Sequence, residues 1–224
     1  MIPYKDDNPT SITPFVTVGI IALNILVFLY EVVSPSGMEK FVYSYGAIPD
    51  YILTFEKVQP IHPALTIFSA MFMHGGVFHI AGNMLYLWIF GNNIEDKLGH
   101  IRFIFFYIFC GIISAYANAL TDPQSHIPMI GASGAISGVL GAYLLLFPRA
   151  MVHTLVFLGF FVTVVRIPAL IVIGFWAFIQ FINGLISTGI AREGGVAWFA
   201  HIGGFIAGLA TIKLWLPKRV RMWR

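Results

Sequence analysis

Six apolar runs, roughly 15–33, 77–94, 103–120, 133–147, 168–186 and 196–216, constrain this 224-residue chain more than any other feature. A transmembrane helix needs about 17–25 mostly apolar residues. Inside a bilayer every backbone polar group must be satisfied within the segment, so such runs fold as helices. Only 10% of the residues are charged and 58% are hydrophobic, against about 25% charge in a soluble domain. The expected fold is an all-α polytopic membrane protein with six spans, one membrane domain over 1–224. A short segment, 1–14, precedes the first span and a basic tail, 217–224, follows the last. No cleavable signal peptide is expected, because the first apolar run is longer than a usual h-region. Residues 34–76 read as a long first outer loop, partly embedded in the membrane. The stretch 152–165 is apolar and β-branched and lies between Arg149 and Arg166. Its length of about 14 residues favours an interfacial position over a seventh span.

Charge fixes the expected orientation. With the N-terminus inside, the inner segments hold Lys5, Lys97, Arg102, Arg149, Arg166, Lys213, Lys218, Arg219, Arg221 and Arg224, and the outer ones only Lys40, Lys57 and Arg192. Lys and Arg favour the cytoplasmic side, so both termini are expected there, in a multi-pass protein of a prokaryotic plasma membrane. The basic tail reads as a cytoplasmic anchor rather than a nucleic-acid site. The single cysteine, Cys110, lies in an apolar run, which leaves no disulfide framework and no cysteine metal site.

Three polar groups then fall at one depth. Ser133 lies 16 residues before Arg149, His79 lies 16 before Glu95, and His201 lies 16 before Pro217. At a rise of about 1.5 Å per residue, each stands roughly 24 Å above the inner boundary, just below the outer surface of a core about 30 Å thick. Polar residues at membrane depth are costly and suggest function.

Gly131-Ala132-Ser133-Gly134 follows a loop, 121–132, broken by Pro123 and Pro128. Ser133 would open the fourth helix, where free backbone N–H groups favour negative charge. It reads either as a nucleophile or as an ordinary N-cap. His201 reads either as its general base or as a polar bridge between helices. Gly134, Gly138 and Gly141 on the fourth run, with Gly204 and Gly208 on the sixth, permit the close approach that a Ser–His contact needs. His79 and Asn83 are four apart and share a face. They could stabilise an oxyanion or merely glue helices. His74 and His79 are five apart and diverge, and no His-Glu-x-x-His occurs, so neither a metal nor another cofactor is expected. All ten carboxylates lie in loops or near span ends. None is therefore expected to be buried where it could orient His201, which leaves a dyad.

The ordered set His74-x-x-x-x-His79-x-x-x-Asn83, Gly131-Ala132-Ser133-Gly134 and Ala200-His201-x-x-Gly204 resembles the rhomboid family of intramembrane serine proteases along nearly the whole chain. The resemblance implies a six-helix rhomboid-like bundle, with Ser133 as nucleophile and His201 as base. It implies an oxyanion site made of His79, Asn83 and the Ser133 backbone N–H, with His74, Gly131, Gly134 and Gly204 in support. It implies that Glu95, Lys97 and Arg102 form a structural polar cap. Its implied partners are the lipid bilayer and the transmembrane segments of other proteins, cut near the outer face; the sequence leaves oligomeric state open. Three positions depart from the family pattern. Ile61-His62 replaces a Trp-Arg pair of the first outer loop, Ser137 stands where some members carry a Tyr that stacks on the base, and Gly82 precedes Asn83 where bulkier side chains occur. Ser137 is also a rival hydroxyl on the same helical face. The alternatives are a catalytically inactive client-binding relative and a small transporter with polar groups among Gly-interrupted spans.

Overall fold

The computed structural model describes residues 2–159, 161–187 and 196–218. Arg192, Glu193, Arg219, Arg221 and Arg224, part of the charge and carboxylate counts above, lie outside the described residues. The chain is mostly helical. α1 (Phe15–Val33) leads into α2 (Met38–Tyr45), α3 (Pro49–Thr54) and α4 (Pro63–Ala70), the short helices of the first long loop. α5 (Val77–Tyr86) continues through a π-type turn (Leu87–Gly91) into α6 (Asn92–Leu98), and α7 (His100–Ala119) returns. α8 (Ser133–Leu146), α9 (Ala169–Ser187) and α10 (Trp198–Trp215) complete the helices. Among the described residues, α1, α7 and α9 are long and apolar enough to cross a membrane, and α8 is a shorter apolar helix.

α8 is the central element: ten of its fourteen residues are buried. Small side chains make this possible. A methyl group on Gly204 would overlap the carbonyl oxygen of Gly134, and one on Gly208 would overlap that of Gly138. α10 therefore lies backbone to backbone along α8, the packing mode that small residues allow in membranes. The outer helices show the opposite pattern. Phe175, Phe178 and Phe181 on α9, and Leu26, Leu29 and Val33 on α1, are more than half exposed. Rows of this kind suit lipid.

The all-α expectation is corrected by a three-stranded antiparallel sheet of order β1-β2-β3, formed by β1 (Ile2–Asp6), β2 (Met151–Leu158) and β3 (Phe161–Pro168). The stretch 152–165 thus pairs as a hairpin and is not a seventh helical span. Its physical reason is local. Val152, Thr154, Val156, Val162, Thr163, Val164 and Val165 are β-branched residues that favour a pleated surface, and Gly159 turns the chain at φ +63°. The segment 1–14 supplies the third strand. It is pinned to the bundle by Asp6, which accepts a hydrogen bond from the Tyr143 hydroxyl at 2.5 Å. Asp7 accepts from His153 Nε2 at 2.6 Å and pairs with Arg166. Burial pushes the Asp6 carboxyl up, partly offset by Tyr143. The His153 hydrogen bond, followed by Arg166, holds Asp7 below the usual carboxylate range.

Glu31 and Glu95 are fully buried, although they lie near helix ends. Neither serves His201. Glu95 accepts from the backbone N–H of Val16 (2.9 Å), the backbone N–H of Thr17 (2.8 Å) and the Thr17 hydroxyl (2.7 Å), and meets His100 Nδ1 at 2.5 Å. It thereby satisfies orphan donors of the first turn of α1 and sits where the helix dipole favours an anion. Asp96 accepts from the Ser11 hydroxyl and backbone N–H, both at 2.6 Å, and pairs with Lys97 at 3.2 Å. Glu31 accepts from the backbone N–H of His74 at 3.1 Å.

Candidate active site

The loop before α8 is shaped by its pairing to the first long loop. Met129 and Ala47 exchange backbone hydrogen bonds (2.8 and 3.1 Å), and the Gly131 N–H reaches the Ala70 carbonyl at 2.8 Å. Gly131 has φ +121°, and a β-carbon there would stand 2.8 Å from His79 Nε2. Conformation and space both require glycine at this corner. His62, in place of the expected Arg, caps α4 by accepting from the Ala64 N–H at 3.2 Å. Gln59 ties the same loop to the Tyr43 and Gly46 carbonyls.

Ser133 is the first residue of α8, and Ala132 occupies the cap position with no side-chain capping bond. The Ser133 hydroxyl is thus free of the N-cap role. It meets His201 Nε2 at 2.8 Å, from the first turn of α10. Ser137 lies one turn further on, fully buried, and its hydroxyl donates back to the Ser133 carbonyl at 2.6 Å. Between the two hydroxyls of this face, the histidine contact belongs to Ser133.

His79 points its Nε2 toward Gly131, while its Nδ1 accepts weakly from the Gly75 N–H at 3.4 Å. Asn83 is 9% exposed, and its amide nitrogen has no hydrogen-bond partner. His74 is buried with its ring edge against His79, centroids 5.0 Å apart. His79, Asn83, Ser133, His201, Trp176 and Trp198 line one cavity of about 810 Å³. Gly82 and Phe78 also border it, Gly82 with no atom near its missing β-carbon and Phe78 95% exposed. Among the described residues no cluster of His, Cys, Asp or Glu is arranged to hold a metal ion.

Sequence reasoning missed three neighbours of His201. Gln180 of α9 presents its Oε1 to His201 Nδ1 at 2.7 Å. Trp176 inclines its ring toward the imidazole at 6.0 Å, and Trp198 meets it edge-on at 6.3 Å. The signal was a glutamine inside an apolar span, the same signal that singled out Ser133 and His201. A serine hydroxyl hydrogen-bonded to a histidine that is itself held by a third group has the form of an activated nucleophile. The unpartnered amide nitrogen of Asn83 in the same cavity is a donor available to a developing negative charge.

Known proteins resemble this chain over most of its length. A family model described as the rhomboid domain matches residues 62–218, well over half of the chain. "Rhomboid protease GluP" of Bacillus subtilis is 31% identical over 207 residues, covering 92% of this chain and 36% of that protein. "Rhomboid protein 1, mitochondrial" of Saccharomyces cerevisiae is 29% identical over 150 residues, covering 65% and 40%. "Presenilin-associated rhomboid-like protein, mitochondrial" of Homo sapiens is 35% identical over 127 residues, covering 55% and 31%. The chain thus spans well under half the length of these relatives, whose named settings include mitochondria and so do not single out a prokaryotic plasma membrane. With the domain match extending across both Ser133 and His201, the chain belongs to the rhomboid family.

Proposed function

We propose that this chain is an intramembrane serine endopeptidase that cuts transmembrane segments of other proteins near the outer face. The observation that carries the reading is the 2.8 Å contact of Ser133 Oγ with His201 Nε2 at a cavity wall. Ser133 attacks the scissile carbonyl as its hydroxyl proton passes to His201 Nε2. His79, Asn83 and the Ser133 backbone N–H stabilise the oxyanion. His201 then protonates the departing amine, and water, deprotonated by His201, releases the acyl group.

In this reading α1, the α5–α6 rod, α7, α8, α9 and α10 are six spans with both termini cytoplasmic. The Ser133 end then faces outward, and the Glu95 end and the sheet face inward. A substrate helix hides its carbonyls in its own hydrogen bonds, so it must unwind before cleavage. Access runs between α5 and α9, where Phe78 and Gly82 border the cavity. The test is labelling by a fluorophosphonate probe, together with cleavage of single-span substrates in proteoliposomes. Ser133→Ala loses both, whereas Ser137→Ala keeps both. Retention of labelling in Ser133→Ala sinks the assignment.

A further inference from the structure

We infer that Gln180 is a positioning residue that locks His201 in the tautomer able to accept a proton from Ser133. The inference rests on the reading of Ser133 and His201 as a catalytic pair. It answers how the imidazole is held when, among the described residues, no carboxylate pairs with it and position 137 carries serine rather than tyrosine.

The orientation of the Gln180 amide is set by its other contact. Its Nε2 donates to the Trp176 carbonyl at 3.3 Å. A backbone carbonyl can only accept, so the nitrogen must face it, and Oε1 is left facing His201 Nδ1 at 2.7 Å. That oxygen can also only accept. The Nδ1 atom must therefore carry hydrogen, and in the neutral ring Nε2 keeps its lone pair. This is the atom 2.8 Å from the Ser133 hydroxyl. As the Ser133 O–H bond breaks, the proton joins Nε2, and Nδ1 keeps its hydrogen bond to Gln180 throughout. A flipped amide would donate to Nδ1, place the hydrogen on Nε2 and leave no base.

Gln180 is 7% exposed on a mostly apolar helix, a costly place for an amide unless both ends are paired. Here both ends are paired, one to its own helix and one to the histidine. The arrangement is the neutral-amide counterpart of the Ser-His-Asp orienter, on the pattern of Cys-His-Asn sites. Trp176 stands four residues before Gln180, so the same turn of α9 supplies a ring beside the imidazole and the carbonyl that aims the amide. Among the described residues no charged group is hydrogen-bonded to Nδ1 or ion-paired with it. α9 carries no ionisable side chain over Ala169–Ser187, α8 carries only Tyr143 near its far end, and the titratable side chains that share the cavity with His201 include His79 of α5.

The experiment measures the pH dependence of the second-order rate of fluorophosphonate labelling in detergent micelles, with thermal unfolding as the check on folding. Wild type and Ser133→Ala come first: if wild type is not labelled through Ser133, the protease reading itself fails. Given that labelling, Gln180→Leu should slow it about ten- to a hundred-fold near neutral pH while Ser133 remains the labelled residue. Gln180→Glu, nearly isosteric, places a carboxylate on Nδ1–H and should move the acidic limb upward by about one pH unit or more. The shifted limb is a response that a packing role alone does not give, and it keeps the test open should the leucine variant unfold. An unmoved limb in Gln180→Glu, or a folded Gln180→Leu labelling within about twofold of wild type, overturns the inference while leaving the dyad intact.

Discussion

The two ends of the bundle differ in how fully their carboxylates and histidines are paired. At the Glu95 end, carboxylates are saturated: Glu95 takes three donors from α1 together with His100, Asp96 takes Ser11 and Lys97, and Asp6 and Asp7 bind the sheet to Tyr143, His153 and Arg166. At the Ser133 end, Asn83 Nδ2 and both ring nitrogens of His74 lack partners, and a cavity of about 810 Å³ adjoins them. A saturated network stabilises one conformation, whereas unmatched donors cost stability in the resting protein and bind best when new charge arrives. The comparison teaches that the Glu95 end is built for holding, and under the proposed function the Ser133 end is the one left ready to react.

Substitutions at the two ends should then divide cleanly. The largest effect on folding is expected for Glu95→Ala, which leaves the Thr17 and Val16 donors unpaired. A loss of about 3 kcal/mol or more is expected, read as a lowered unfolding midpoint in micelles, with the labelling rate per folded molecule unchanged. At the other end Asn83→Ala should lower the cleavage rate about 10²-fold, equivalent to about 2.7 kcal/mol of transition-state stabilisation, and leave the unfolding midpoint within a degree or two. If Asn83→Ala instead unfolds the protein as Glu95→Ala does, the contrast is broken.

A smaller effect concerns pH. The Asp7 carboxyl is depressed by His153 and Arg166. Its contribution is therefore present above the ordinary aspartate value of about 3.9 and lost as pH falls through the lower folded value. Asp7→Asn should unfold more easily than wild type at pH 5–7, and the gap should close as pH approaches 3. Asp6, raised by burial, acts with the opposite sign, so the acid limb of wild type should be shallower than Asp7 alone would give. A gap between Asp7→Asn and wild type that stays constant with pH would remove the ionic role of Asp7.

Sequence and structure agree most where a local signal meets a global constraint. The helices near 15–33, 133–147 and 168–186 follow from continuous apolar runs. Residue counting to the inner boundary placed Ser133 and His201 at one level, and their contact is direct. The sheet was less legible because its pairing is non-local: Pro3 meets Thr154 and Asp6 meets Val152, across more than half of the chain. The hairpin was partly visible in the β-branched residues around Gly159, which favour strands, but a length of about 14 residues speaks only to whether a segment spans. Burial of Glu31 and Glu95 was invisible because nearness to a span end reads as exposure, whereas the neighbouring chain folds over both. Gln180 was less legible because its span is mostly apolar, and an amide in a helix carries no sequence spacing that points to a partner on another helix.

The π-type turn at Leu87–Gly91 links the two ends on one rod. A widened turn of this kind accommodates one extra residue, which offsets the angular phase of everything beyond it by about 100° at 3.6 residues per turn. His79 and Asn83 can thereby look toward α8 while Glu95, farther along the same rod, looks toward α1. A uniform helix of equal sequence would have to give up one of these directions, so this stretch works as a clutch between anchoring and chemistry.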